Sequence, residues 1–200
     1  MYRLYEFPDS GNCYKIRLLL TQLGEEFERV FVDIMAGETR TTQFLAKNPA
    51  GKIPVLEIGD GDYLPESNAA LWYLAEGTRF LPDDRRDRAE VFRWLSFEQY
   101  SHEPNVATPR FWIKYLGSPP EMNERLARRQ EAGRQALQVM DDHLSTRPFF
   151  VAERFTIADI ALYAYTHVAD EGGIELKPYS AVRRWIEKVA AQPGYVPMEA

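Results

Sequence analysis

Three neighbouring side chains near the N-terminus have the chemistry to activate a nucleophile or to act as one. Ser10, Asn12 and Cys13 lie between an alternating run over residues 2–5 and an apolar pattern typical of a helix. The first turn of a helix has unpaired backbone N–H groups and the positive end of the helix dipole, and both stabilise an anion such as a thiolate. A serine at a helix start is also a common N-cap, so the position of Ser10 alone predicts only a cap.

A second group of residues, further along the chain, could hold a peptide-like ligand. Ile53-Pro54 precedes an apolar run, and proline lacks the N–H that a sheet ladder needs, so it indicates a strand start, an edge or a cis bond in a tight turn. A cis bond there would turn the backbone N–H and C=O of Ile53 outward, where an extended peptide could pair with them. Glu66-Ser67 then opens a helix whose N-terminus can receive a carboxylate. Together these residues predict a site for a peptide that carries a carboxylate.

The order of these features resembles the glutathione transferase family, and the resemblance runs nearly from end to end of the chain. It depends on a lysine before the Ile-Pro pair, an apolar strand, a Gly-Asp-Gly turn, a short strand and a Glu-Ser pair that opens a helix. The resemblance implies that Ile53 and Pro54 hold the cysteinyl part of glutathione. It also implies that Glu66 and Ser67 hold the γ-glutamyl head, remote from the sulfur, and that Lys52 reaches the glycine carboxylate.

The resemblance brings the glutathione sulfur to the turn at Ser10, which matches the activating serine of theta-like and many bacterial members. A free thiol has a pKa of about 8.5, and lowering it by one unit takes about 1.4 kcal/mol. One hydrogen bond to a charged group supplies roughly 1.5–3 kcal/mol, so one hydroxyl could lower the thiol pKa by about one to two units. Asn12 could donate its amide to the sulfur instead, and Cys13 could carry out thiol–disulfide chemistry. Which of the three contacts the sulfur stays open.

The elements that position these residues are predicted to form an α/β domain over residues 1–79. Strands and helices follow in the order β-α-β-α-β-β-α, which is the thioredoxin-like arrangement. The first helix carries isoleucine and leucine on one face and is predicted to stop at Gly24. Residues 80–84 break the pattern and are predicted to be a linker.

Residues 85–200 are predicted to form an all-α domain. We expect helices over 85–103, 105–116, 121–144, 156–168 and 179–191. Pro104 and Pro109 are expected to kink or break the helical pattern. Thr156 and Asp159 have the spacing of a capping box, which stabilises the start of a helix and serves folding rather than chemistry.

The second substrate of such an enzyme is expected to be an electrophilic and largely apolar small molecule. Its pocket is predicted to include Phe7 and Pro8 near the first turn, and Asn105, Arg110 and Trp112 in the helical domain. Most aromatic side chains at such spacing belong to a core, so residue types alone do not separate a pocket from packing. Arg110 could instead brace glutathione or an acidic co-substrate.

Composition and charge argue against several other classes of protein. The net charge is −6 and the basic residues are interleaved with acidic ones, so no basic stripe could follow a nucleic-acid backbone. One cysteine excludes an internal disulfide, and three histidines far apart in the sequence predict no metal site. The sequence has no run of about 18 apolar residues and no signal-peptide pattern. We therefore expect a cytoplasmic protein without metal, nucleic-acid or membrane partners.

The sequence thus predicts a glutathione S-transferase of theta-like or bacterial type, with glutathione as co-substrate and no metal or prosthetic group. It would join the glutathione thiolate to an electrophile, as in detoxification. Two alternatives stay open. One is a glutathione-dependent disulfide or peroxide reductase, or an isomerase, on the same fold. The other is a non-catalytic interaction module that has kept the fold.

A two-fold homodimer is also expected. The resemblance implies that residues 66–76 of one chain meet residues 85–103 of the other, and residues 66–76 are more apolar than one buried stripe needs. Glu98 or Gln99 would then approach the γ-glutamyl group bound by the other chain.

Overall fold

The computed structural model describes residues 1–199, and their contacts divide the chain into two compact units. The first unit consists of Met1–Thr78 together with the C-terminal residues from Gln192 on, and the second unit is Arg79–Ala191. The start of the second unit differs from the prediction. Phe80, expected in a linker, is buried, and its carbonyl accepts a hydrogen bond of 3.0 Å from the Ile157 N–H.

The first unit is a four-stranded mixed sheet with helices, as the thioredoxin-like arrangement predicts. Its elements are β1 (Tyr2–Glu6), α1 (Gly11–Leu23), β2 (Phe27–Phe31), α2 (Thr42–Leu45), β3 (Val55–Gly59), β4 (Asp62–Pro65) and α3 (Ser67–Ala75). The strand order is β2-β1-β3-β4, in which β1 is parallel to β2 and antiparallel to β3, and β3 and β4 form a hairpin. The predicted order of elements is confirmed. Helix α2 is short, and Glu38–Arg40 forms a separate 3-10 turn before it.

Local sequence explains where α1 begins and ends. Ser10 is the N-cap with extended backbone angles, φ −83° and ψ 120°, and its side chain accepts a hydrogen bond from the Cys13 N–H. Gly24 takes a left-handed φ of 73° at the other end, and its N–H returns to carbonyls of the last turn. The predicted helix end is therefore confirmed.

The C-terminal residues pack along α1 within the first unit. The Tyr14 hydroxyl donates a hydrogen bond of 2.7 Å to the Val196 carbonyl, and the Arg17 guanidinium donates to the Met198 carbonyl. The Met198 side chain is buried. These contacts explain why the predicted helical domain, residues 85–200, extends too far at its C-terminal end.

The second unit is all-α, as predicted. Its helices are α4 (Arg85–Phe97), α5 (Glu103–Leu116), α6 (Asn123–Leu144), α7 (Ile157–Thr166) and α8 (Ser180–Ala190). A π-helical turn, Glu98–His102, joins α4 to α5. Two 3-10 turns, Pro120–Met122 and Ala169–Gly172, lie between other helices.

Both prolines lie within α5 without breaking it, and the reason differs between them. Pro104 lies in the first turn of α5, directly after the π-helical turn, where a missing N–H costs little. Pro109 lies inside α5, so it cannot donate to the Asn105 carbonyl. Gly133 of α6 approaches that carbonyl so closely that a Cβ would come within 2.7 Å of it. The close approach of α6 explains why a glycine interrupts its apolar stripe.

Asp159 links the start of α7 to its neighbours. The predicted capping box with Thr156 is confirmed. The Asp159 carboxylate also accepts hydrogen bonds from the Phe150 N–H and from the indole N–H of Trp185 in α8, over 3.2 and 2.9 Å. Burial raises the pKa of this carboxyl from 3.8 to about 6. Its role therefore lies in the packing of the second unit.

Candidate functional site

Ser10 can cap α1 and donate to a ligand at the same time. Its Oγ accepts a long hydrogen bond of 3.4 Å from the Cys13 N–H, and its backbone N–H donates to the Phe7 carbonyl over 2.9 Å. A hydroxyl that accepts from the backbone still has its own proton to donate. The capping and activating interpretations of Ser10 are therefore compatible.

A hydrogen bond joins the first turns of α1 and α3. Ser67 Oγ donates to Asn12 Oδ1 over 3.3 Å, and the Ser67 side chain is buried. Helices α1 and α3 also pack against each other. Ser67, expected to be remote from the sulfur, thus contacts one of the two candidate donors to it.

Glu66 has a backbone conformation that is unusual for its residue type. Its φ is 71° and its ψ is 110°, and its exposed side chain makes no capping hydrogen bond to α3. A residue other than glycine with positive φ costs free energy, and such residues cluster at binding and catalytic sites. Helix capping by its side chain therefore does not explain the presence of Glu66 at this position.

The Ile53-Pro54 peptide bond is cis, which is one of the three alternatives that the proline leaves open. The loop before it is braced by Asn48, whose Nδ2 donates to the Lys52 carbonyl over 2.7 Å and whose Oδ1 accepts a backbone N–H of the same loop. Gly51 is required in this loop, because its φ is 61° and a Cβ would lie 2.5 Å from an arginine nitrogen. The Lys52 side chain is exposed. The loop therefore holds Ile53 and Pro54 at the head of β3.

Two family models match the chain. Residues 1–76 match the glutathione S-transferase N-terminal domain, and residues 109–193 match the glutathione S-transferase C-terminal domain. The chain belongs to the glutathione S-transferase family. The predicted family and the enzyme class that goes with it are therefore confirmed.

Characterised relatives of this glutathione S-transferase family member carry several different names. Glutathione S-transferase 3 of Zea mays is 32% identical over 206 residues, which cover 96% of this chain and 90% of the relative. Disulfide-bond oxidoreductase YfcG of Escherichia coli is 28% identical, with 97% of this chain and 92% of the relative covered. Elongation factor 1-gamma of Artemia salina is 33% identical over 92% of this chain, but the chain spans only 43% of that protein.

Two solved structures from Pseudomonas fluorescens are similar over nearly the whole chain. A glutathione S-transferase is 52% identical with a TM-score of 0.97, and 98% of each chain is covered. A glutathione transferase family member with two glutathione molecules bound is 29% identical with a TM-score of 0.86, and the match covers 96% of this chain and 89% of that one.

Cys13 is not positioned as a redox nucleophile. Its side chain is fully buried inside α1, and burial raises the pKa of its thiol to about 12. Reactive cysteines of this and other families are accessible and have lowered pKa values. The structure therefore argues against a reductase that uses Cys13 as its nucleophile.

The turn before Ser10 carries an aromatic pair that includes one unpredicted residue. The rings of Phe7 and Phe31 lie 6.0 Å apart between centroids, and Phe31 at the end of β2 is 59% exposed. The neighbouring Pro8 carbonyl accepts a hydrogen bond from Arg17 over 3.3 Å. Phe31 is not among the predicted residues, because an aromatic residue in a strand normally belongs to the core.

The predicted pocket residues of the second unit take part in contacts between helices and turns. Arg110 is buried and donates to Glu171 over 2.9 Å. The Asn105 side-chain N–H donates a hydrogen bond to the Ser101 carbonyl, and the Asn105 side-chain oxygen accepts one from Arg129 of α6. Trp112 is half-buried beneath a guanidinium of α6, 5.3 Å from its ring centroid. These contacts account for Asn105 and Arg110 without a substrate, and their place in a pocket stays a prediction.

The described residues contain neither a candidate metal site nor a membrane-spanning helix. Among residues 1–199, no three His, Cys, Asp or Glu side chains come together in a way that could hold a metal ion. None of the helices formed by those residues is both long and apolar enough to cross a membrane.

Proposed function

We propose that the protein binds glutathione in its first unit and transfers the glutathione thiolate to an electrophilic, largely apolar small molecule. The observation that carries the proposal is the Ser67–Asn12 hydrogen bond, which places the N-terminal turns of two helices side by side. Each turn has unpaired backbone N–H groups and the positive end of a helix dipole. A ligand with a thiolate and a carboxylate complements such a pair of turns, and glutathione has both groups.

Each part of glutathione has a proposed partner in the first unit. Glu66 and Ser67 take the γ-glutamyl ammonium and carboxylate, and the strained backbone of Glu66 supports a binding role for that pair. Ile53 and Pro54 pair with the cysteinyl backbone, and the exposed Lys52 meets the glycine carboxylate. The similar structure that contains two glutathione molecules supports this choice of ligand.

Catalysis in this proposal consists of thiol activation and positioning. The cysteinyl thiol loses its proton to solvent, and the thiolate accepts a hydrogen bond from the Ser10 hydroxyl, with Asn12 as the alternative donor. The thiolate sulfur then attacks the electrophilic carbon. A carbon–sulfur bond forms, and the leaving group departs with its electron pair. The paired rings of Phe7 and Phe31, of which Phe31 is exposed, support an apolar, aromatic-compatible electrophile, as detoxification would require.

Calorimetric titration with glutathione, followed by two activity assays, tests the proposal. Conjugation is measured with chlorodinitrobenzene, and reduction is measured with a small disulfide plus glutathione. Binding accompanied by conjugation is the expected result. Reduction without conjugation would favour the kind of activity named for the relative from Escherichia coli. Absence of binding at millimolar glutathione would favour a non-catalytic module.

A cytoplasmic homodimer is part of the same proposal. Ala69 and Tyr73 leave an exposed apolar strip on α3, with Tyr73 47% exposed, and Phe92 of α4 is 64% exposed. Glu98 is fully buried and so cannot reach a neighbouring chain, whereas Gln99 is exposed. Analytical ultracentrifugation should give a dimer, and a monomer at micromolar concentration would contradict it.

A further inference from the structure

Arg17 is a buried arginine of α1 whose guanidinium donates to three acceptors in the first unit. Its Nη1 donates over 2.8 Å to the buried Glu6 carboxylate at the end of β1. Its Nη2 donates over 3.3 Å to the Pro8 carbonyl, and it also donates to the Met198 carbonyl of the C-terminal residues. The side chain therefore links α1 to a strand end, to the turn that follows it and to the C-terminal residues.

The Pro8 carbonyl lies in the turn that ends at Ser10. The Ser10 N–H donates to the Phe7 carbonyl over 2.9 Å, so residues 7–10 form a closed turn with proline as the second residue. Arg17 follows Ser10 by seven residues, or about two helical turns, so both lie on the same side of α1. The guanidinium thus reaches back along the helix and holds the turn by its central carbonyl.

Stability alone is a weak explanation for the buried pair of Arg17 and Glu6. Both side chains lose their hydration, and a buried ion pair is often no more stabilising than apolar residues of similar volume. The guanidinium, however, presents its donors in a rigid planar arrangement, which neither a lysine ammonium nor an apolar side chain can reproduce. Its three acceptors lie on three different parts of the backbone and side chains of the first unit. We therefore ask what this arrangement orients.

We propose that Arg17 is a positioning residue for the Ser10 hydroxyl, and that it acts by holding the Pro8 carbonyl. The inference rests on the proposed function, in which the Ser10 hydroxyl donates to the glutathione thiolate. The cap bond from the Cys13 N–H is long, at 3.4 Å, so the turn contributes to the position of the Ser10 hydroxyl. Hydrogen bonds weaken steeply away from their preferred distance and angle. A turn released from Arg17 would therefore offer the thiolate a poorer donor.

The experiment measures the pKa of the bound glutathione thiol, from the ultraviolet absorbance of the thiolate, in the wild type and in Arg17→Lys. Lysine keeps a positive charge beside Glu6 but lacks the planar set of donors. The variant should raise the thiol pKa by about half a unit to one unit, part of the rise expected when the whole hydrogen bond is lost. Turnover near neutral pH should fall about twofold to fivefold, and the Kd for glutathione should change by less than about twofold.

Two further variants separate an effect through Ser10 from a general effect of the ion pair. In Ser10→Ala the hydroxyl is absent, so Arg17→Lys added to it should not change the thiol pKa, and a further rise would overturn the inference. Arg29→Lys is the matched control, because Arg29 contacts the same Glu6 carboxylate. It should leave the thiol pKa unchanged. A rise equal to that of Arg17→Lys would overturn the inference, because the ion pair and not the Pro8 contact would then be responsible.

A double variant covers the case in which Arg17→Lys does not fold. Glu6→Met together with Arg17→Met removes both buried charges, and such a replacement is often neutral or stabilising. The Pro8 carbonyl still loses its arginine donor, so the thiol pKa should again rise by about half a unit to one unit. A role confined to stability predicts the wild-type thiol pKa in this folded protein, and that result would overturn the inference.

The proposed function and the inference fail in different ways. A wild-type protein that does not bind glutathione, or binds it without lowering the pKa of its thiol, would overturn the proposed function together with the inference. A lowered thiol pKa in the wild type that Arg17→Lys leaves unchanged would overturn the inference alone.

Discussion

Replacement of Ser10 by alanine should raise the pKa of the bound glutathione thiol. The Ser10 hydroxyl already accepts the Cys13 N–H, so its proton is what a thiolate would receive. A hydrogen bond to an anion is worth roughly 1.5–3 kcal/mol, which corresponds to about one to two pKa units. In Ser10→Ala the thiol pKa should therefore return to near its ordinary value of about 8.5.

The effect of Ser10→Ala on turnover should depend on pH. At neutral pH a thiol whose pKa has been lowered by one to two units is roughly one quarter to three quarters ionised, whereas an ordinary thiol is about 3% ionised. Turnover of Ser10→Ala should thus fall about tenfold near neutral pH. The difference should shrink in alkaline solution, because both thiols are then ionised. The affinity for glutathione should change little.

Ser10→Ala removes a helix cap as well as the proposed hydrogen bond to the thiolate, so the two effects need a control. The Ser10 cap bond is long, at 3.4 Å, so its loss should cost ~0.5 kcal/mol, the low end for caps. Thr41→Ala is a matched control, because Thr41 caps α2 by accepting the Phe44 N–H over 3.2 Å and is not a candidate site residue. The ultraviolet absorbance of the thiolate is titrated against pH for the three proteins. Identical curves for wild type and Ser10→Ala would refute the reasoning and assign activation to Asn12 or a backbone N–H.

Three other perturbations have defined outcomes. Glu66→Ala and Glu66→Gly should both weaken glutathione binding more than tenfold, by about 1.5–3 kcal/mol, but only the glycine relieves the φ of 71°. Glu66→Gly should therefore be at least as stable as Glu66→Ala in urea, and the reverse order would exclude backbone strain. The buried Arg17 guanidinium forms an ion pair of 2.8 Å with the buried Glu6 carboxylate, and the half-exposed Arg29 contacts the same carboxylate. Arg17→Met removes the buried partner, so it should lower the free energy of unfolding in urea by about 3–5 kcal/mol. A loss below about 1 kcal/mol would contradict this. The raised pKa of Asp159 means that the folded state holds this proton more tightly than the unfolded chain. The stabilisation from this proton should be full below the ordinary pKa of 3.8 and lost as the pH rises through about 6. The free energy of unfolding of the wild type relative to Asp159→Asn should therefore fall over that pH window. A difference that does not change with pH would contradict this.

The features that the sequence predicts correctly are set by a few adjacent residues. Ser10 and Gly24 bound α1 because capping depends on local backbone angles. The cis bond before Pro54 and the capping box at Thr156 are equally local. Each of these patterns has its chemistry and its geometry within about four residues, so a single sequence is enough to recognise it.

The features that the sequence misses depend on residues far away along the chain. Lys15 meets Ser67 at a separation of 52 residues, and Arg17 meets Met198 at a separation of 181. On a helix whose apolar face is already assigned, lysine and arginine predict a solvated face. No local signal distinguishes them from surface cations, because the elements that bury them are specified elsewhere. Burial of Lys15 and Arg17 could therefore be found only in the structure.

The enclosure of α1 has a consequence for the candidate site. β1 and α3 pack against this helix, and Tyr14 and Arg17 attach the C-terminal residues to it. The Arg17 guanidinium also donates to the Pro8 carbonyl, in the turn that leads to Ser10. Lys15 fixes the first turn of α3 from the same helix. Because both turns are held before a ligand arrives, their donors can meet a thiolate and a carboxylate without reorganisation, which is the condition under which fixed dipoles stabilise charge most effectively.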